Sequence, residues 1–144
     1  MRSFTAAWQF WALLSATFAA LTAIFAKIGV ENVNADLATL IRTIVIVLVL
    51  AAIVWAFCEY QPPSTIAART WTFLILSALA TGASWLCYFR ALKLGNASQV
   101  APIDKLSVVL VAIFGALFLS EKLTALGWLG VLLIGGGAVL VAVG

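Results

Sequence analysis

The sequence contains no histidine, so the commonest general base and metal ligand among side chains is missing. Its two cysteines, Cys58 and Cys87, stand far apart and cannot make a zinc site. Charge is scarce as well. Only 9% of residues are charged, against roughly 25% in a soluble domain. The eight Lys and Arg outnumber the five Asp and Glu, giving a net charge of +3. They are scattered singly and form no basic stripe, which excludes nucleic acid as a partner. Catalysis would have to rest on Asp, Glu, Ser or Lys alone. The sequence therefore points away from an enzyme, offers no catalytic residues, and implies no cofactor and no metal.

What it has instead is apolar length. Hydrophobic residues make up 65% of the chain and the mean hydropathy is +1.20. Five long apolar segments are expected, at about residues 5–28, 35–57, 69–92, 97–119 and 124–143. This predicts an all-α integral membrane protein with five transmembrane helices in one domain, residues 1–144. The first segment follows Arg2 and runs 24 residues without a charge to Lys27. A signal peptide has an apolar core of only about 7–15 residues, so a retained helix is expected. Gly29 and the run Glu31-Asn32-Val33-Asn34 close it, and Asp36 is the expected N-cap of the second. Glu59-Tyr60-Gln61-Pro62-Pro63-Ser64 is the clearest break in the chain, since neither proline continues a helix.

Five spans place the termini on opposite sides of the membrane. Loops on the N-terminal side hold Arg2, Arg69 and Lys122; those on the other side hold Lys27, Arg90 and Lys93, with Arg42 and Lys105 embedded beneath. So small a bias leaves two readings open, a fixed orientation or insertion both ways. Cys58 and Cys87 fall on opposite sides, which excludes an internal disulfide by distance.

The polar residues within the spans carry the functional reading. From Leu106 to Leu119 there are 14 uncharged residues, about 21 Å of helix at ~1.5 Å per residue. A hydrocarbon core is ~30 Å thick. If that segment spans, its helix begins earlier and draws Asp104 and Lys105 below the surface, where ionisable groups usually mark an ion or substrate path. Adjacent residues point about 100° apart, so each is expected to need another partner; Arg42 and Lys27 are candidates for Asp104. The alternative is a helix beginning at Pro102, with Asp104 in the first turn and Lys105 snorkelling to the surface.

In the third span, Ser77, Thr81, Ser84 and Tyr88 are spaced 4, 3 and 4 along the chain, flanked by Trp85. Such a stripe suits either interhelical hydrogen bonding or a cavity lining. Trp8, Gln9, Trp11, Trp55, Tyr60 and Trp71 fit the interfacial belt. In the fifth span Gly130 and Gly137 are seven apart on one face, where small residues let two helices approach closely.

The runs Thr81-Gly82-Ala83-Ser84-Trp85 to Tyr88-Phe89-Arg90-Ala91-Leu92, Val100-Ala101-Pro102-Ile103-Asp104-Lys105-Leu106-Ser107 and Leu119-Ser120-Glu121-Lys122-Leu123 resemble an EamA-type repeat of the drug/metabolite transporter superfamily. The resemblance covers essentially the whole chain, most strongly residues 69–144. Most EamA-type proteins carry two such five-helix repeats in inverted orientation; this chain looks like a single-repeat, half-length member. The related small multidrug resistance proteins work as antiparallel homodimers and associate through two glycines seven apart, the spacing of Gly130 and Gly137. Their first-helix glutamate has no counterpart, because residues 3–26 contain no acid, so that proton-coupled mechanism does not carry over.

Two copies inserted oppositely would reproduce the inverted repeat used for alternating access. The expectation is a secondary transporter, an exporter of small metabolites or amphipathic compounds, acting as a homodimer in the bilayer of a bacterial or archaeal inner membrane. Asp104 would be the coupling or gating acid, with Lys105 and Arg42 as its charge partners. Ser77, Thr81, Ser84, Trp85 and Tyr88 would line the path, and Gly130 and Gly137 would pack the dimer. The alternatives are a flippase for lipid-linked sugars and a non-transporting subunit of a larger complex.

Overall fold

The computed structural model of the chain describes residues 7–58 and 60–144. Arg2, Glu59 and the first two residues of the expected opening helix lie outside the described residues. Six α-helices follow in order: α1 (Trp8–Val30), α2 (Ala35–Ala56), α3 (Ala68–Leu94), α4 (Ala97–Asp104), α5 (Ser107–Phe118) and α6 (Ala125–Val143). α4 and α5 together make one segment, Ala97–Phe118, so five segments are long and apolar enough to cross a membrane. The shortest has 19 residues, about 28 Å at ~1.5 Å per residue, close to one hydrocarbon thickness. The all-α membrane architecture is as expected, and the chain is a multi-pass membrane protein.

Local chemistry sets the helix ends. Asn34, not Asp36, caps α2: its Oδ1 accepts from the backbone N–H groups of Asp36 and Leu37, at 2.9 and 3.2 Å. Asn and Asp cap about equally well, so position decides, and Asn34 holds the extended backbone (φ −61°, ψ 133°) that a cap requires. Thr124 caps α6 by accepting from Gly127 N–H. After α2 and α5 the chain turns off through Cys58 and Ser120, both in the left-handed region at φ 53° and 57°, the conformation that ends many helices and usually falls to glycine. Between α2 and α3 the Thr65 hydroxyl donates to Pro62 O at 2.7 Å, and the indole N–H of Trp71 reaches Pro63 O.

Hydroxyls in the spans bond to their own helices. Thr17, Thr39, Thr43, Thr72 and Thr81 each donate to the carbonyl four residues back, at 2.8–3.1 Å. Nothing in a hydrocarbon core can satisfy a polar group from outside, so a polar group there must find its partner within the protein.

The chain divides into two compact units, one of residues up to Ala26 with Leu94–Gly144, the other Lys27–Lys93. In the first, α6 packs on α4 and α5, and the buried apolar side chains are small: Ala23, Ala26, Val131 and Ala138. In the second, Val30, Ala35, Thr39, Phe89 and Leu92 are buried. Most of the large apolar side chains face outward, as a lipid-solvated surface requires.

Candidate functional site

The fourth span is interrupted. Its helix starts at Ala97, as the length argument requires, and not at Pro102, which lies inside α4. Pro102 has no N–H to give to the carbonyl of Ser98, four residues back. In the turn after it the ladder tightens. Lys105 N–H is shared between Ala101 O and Pro102 O, at 3.3 and 3.0 Å, and Leu106 N–H goes to Ile103 O at 3.0 Å. Val108 and Val109 likewise donate three residues back, to Lys105 O and Leu106 O. This is 3₁₀-type bonding, which often marks a hinge within a helix. The single continuous helix expected over 97–119 is thus two helices meeting at Lys105–Leu106.

Asp104 sits seven residues after Ala97, about 10 Å along the axis at ~1.5 Å per residue. Its Oδ2 lies 3.3 Å from Lys105 Nζ, with the side chains 37% and 55% exposed in the isolated chain. The expectation that these neighbours cannot pair is corrected. The 100° rule holds for Cβ directions in a regular helix. Here Lys105 is the residue that leaves α4, with ψ at −7°, and its four-carbon stem spans the difference.

Gly135 brings α6 onto α5: a Cβ there would stand 3.1 Å from Val109 Cγ2. A groove of about 710 Å³ lies between these helices, lined by Leu106, Val109, Leu110, Leu132, Gly136, Val139 and their neighbours. It is apolar and contains none of the expected path residues. Among the described residues, a Cβ added at Gly130 or Gly137 would meet nothing within 4 Å.

The Lys27–Lys93 unit holds a second group of charges, Lys27, Asp36, Arg42, Arg90 and Lys93. Arg90 grips Asp36 with two hydrogen bonds, Nε to Oδ1 at 3.1 Å and Nη2 to Oδ2 at 2.9 Å. Lys27 Nζ donates to Leu92 O and Lys93 Nζ to Val33 O, both at 2.7 Å. A helix leaves its last four carbonyls without intrahelical partners; Lys27 supplies one of α3's, and Lys93 ties the same end to the α1–α2 turn.

Arg42 stands seven residues into α2, again about 10 Å from its start. Its guanidinium carbon lies 4.1 Å from the centre of the Trp85 ring and 5.6 Å from that of Phe89. A planar cation over an indole face is a favourable cation–π arrangement. Within this unit Arg42 thus takes its place over the aromatic side chains of α3.

Of the hydroxyl stripe on α3, Ser77, Thr81 and Ser84 are exposed in the isolated chain, while Tyr88 and Trp85 are half-buried. The Thr81 hydroxyl goes to Ser77 O of its own helix rather than across to a neighbour. Arg42 and Trp85, both members of the expected path, are brought together across helices within this unit. Sequence reasoning missed Phe89, although it lies four residues beyond Trp85 and hence on the same helical face. It also missed the Asp36–Arg90 pair, because register between helices is not written locally.

The sequence profile of the EamA-like transporter family matches residues 6–143. A Sinorhizobium protein named as an uncharacterized transporter in the cobO 3′ region is 68% identical over 136 residues, covering 94% of this chain and 96% of that protein. No solved structure matches. With the five-span architecture, the interrupted fourth span and a family match over nearly its whole length, the chain belongs to the EamA-like transporter family.

Proposed function

We propose that the protein is a secondary transporter that exports small metabolites or amphipathic compounds across a bacterial or archaeal inner membrane. Its working form is a homodimer of oppositely inserted copies that alternates access, and each copy, residues 1–144, is one five-helix domain. The observation that carries this reading is the break at Lys105–Leu106 beside Asp104 and Lys105. Non-helical backbone at membrane depth is tolerated where it is covered by protein or lines a watery cavity. Discontinuous helices of this kind build the central sites of many secondary transporters. Asp104 is the coupling acid and Lys105 its counter-ion. Ser77, Thr81, Ser84, Trp85 and Tyr88 form the polar and aromatic wall along which substrate passes.

The dimer supplies the second repeat. Five spans put the termini on opposite faces, so two copies inserted oppositely reproduce an inverted repeat. Gly130 and Gly137, open within the chain, give α6 a face for close approach to a second α6.

The test compares the extracellular metabolite profile of cells producing the protein with that of cells producing Asp104→Asn at equal membrane abundance. Compounds enriched outside only with the unaltered chain support the reading, as does their loss in the variant. A profile unaffected by the protein, or unchanged by the substitution, overturns it.

A further inference from the structure

At one end of the Lys27–Lys93 unit, four charged side chains are held by partners within the protein. Asp36 is held by both donors of Arg90, and Lys27 and Lys93 each donate to a backbone carbonyl. Arg42 differs: among the described residues its side chain makes no ion pair and no hydrogen bond, and it stands over the Trp85 and Phe89 rings. Its nitrogens are not sealed off, since no unpartnered buried side-chain nitrogen or oxygen exists among the described residues.

A guanidinium about 10 Å along a membrane helix would ordinarily snorkel toward the surface. This one stands over the Trp85 ring, 4.1 Å from its centre, and no hydrogen bond or ion pair among the described residues takes up its N–H groups. Those groups form a fork matching the two oxygens of a carboxylate. The surroundings reinforce it. Lys27, Arg42, Arg90 and Lys93 share this end of the unit with only Glu31 and Asp36 as acids, an excess of two positive charges that attracts anions.

We infer that Arg42, fixed over Trp85, is a binding site for the carboxylate of an amphipathic monoanion whose apolar body lies along the half-buried Trp85 ring. One guanidinium balances one negative charge, so a singly charged acid leaves the occupied site neutral at a depth where net charge is costly. This rests on the transporter reading only for its consequence, that the substrate is an organic anion; the binding itself stands apart from flux. An acidic lipid headgroup offers similar oxygen chemistry, and the test separates the two.

The test uses the full chain in phosphatidylcholine nanodiscs, with radiolabelled benzoate as probe and benzamide as its uncharged counterpart. Saturable benzoate binding is expected, at least about tenfold tighter than that of benzamide, as befits a charge-assisted bidentate contact. Arg42→Met abolishes the preference. Arg42→Lys, which keeps the charge and loses the planar fork, weakens it about tenfold. Circular dichroism checks that both variants keep their helices, and should Arg42→Met fail to fold, the Lys variant alone decides. Equal binding of benzoate and benzamide, or full binding in the Lys variant, overturns the proposal. So does competition by phosphatidylglycerol: if replacing part of the phosphatidylcholine removes benzoate binding, the site belongs to lipid. Binding that survives in a protein moving nothing across a vesicle wall overturns the transporter reading alone. Export without benzoate discrimination overturns the anion site alone.

Discussion

Arg90 and Asp36 face each other squarely, guanidinium fork to carboxylate, so that the C-terminal part of α3 is fastened to the first turn of α2. Both side chains are about half exposed in the isolated chain, so orientation more than strength is what the pair supplies. Arg90→Lys keeps the charge and loses the fork. Its melting temperature in detergent should fall as far as that of Asp36→Asn, and the double variant should fall no further. Additive losses in that cycle would show the two residues acting independently.

Pro102 holds the fourth span in two pieces. Pro102→Ala restores a backbone donor to Ser98 O and removes the ring clash, a change of about 3 kcal/mol in an isolated helix interior. Part of that gain should appear as a higher melting temperature, together with reduced export and slower amide hydrogen exchange around Lys105. Unchanged export in a more stable variant would separate the break from function.

The glycines of α6 should divide by face. Gly135→Ile drives a side chain into Val109, 3.1 Å from the position of its Cβ, and should cost about 1–3 kcal/mol through overpacking. Gly130→Leu and Gly137→Leu meet open space and should leave the chain's own melting nearly unchanged while removing the dimer, measured by mass photometry. A dimer that survives both leucines places the interface elsewhere.

Ser120 holds φ at 57°, a region that disfavours residues with a Cβ by roughly 1–2 kcal/mol. Ser120→Gly should therefore stabilise the α5–α6 connection by about 0.5–1 kcal/mol after glycine's greater freedom in the unfolded chain is counted. Thermal melting of the purified protein checks the sign.

Cys58 and Cys87 are both exposed and free. Cys58 stands two residues after the end of α2, and Cys87 well inside α3, toward its C-terminal end. In oppositely inserted copies, Cys58 of one chain and Cys87 of the other share a membrane face, and a bifunctional thiol reagent should join them. A crosslinked dimer on gels is the expected result. Same-way-up copies would yield none.

The spans were legible because hydropathy over some twenty residues is a strong signal, and the start of the fourth at Ala97 followed from length alone. The cap of α2 was misplaced by two residues because Asn34 and Asp36 are chemically equivalent as caps and differ only in backbone geometry. The break after Pro102 was not legible, since a proline within a helix kinks some and barely perturbs others. Arg42 was legible as an embedded charge, whereas its place over Trp85 and Phe89, four apart on α3, depends on the register of α2 against α3 and is not written locally. Asp104 and Lys105 were legible as neighbours at one site, but their direct approach at 3.3 Å was not, since the ~100° separation of adjacent residues applies to an unbroken helix.

The small, alanine-rich interior has a practical consequence. A chain that buries few side chains, half of its buried apolar ones alanines, and turns most of its large apolar side chains outward owes little of its cohesion to its own interior, and its surroundings supply the rest. Its melting behaviour should therefore follow acyl-chain length and detergent more closely than most interior substitutions, and a host membrane a few ångströms thinner or thicker would act on it much as a mutation acts on a soluble protein.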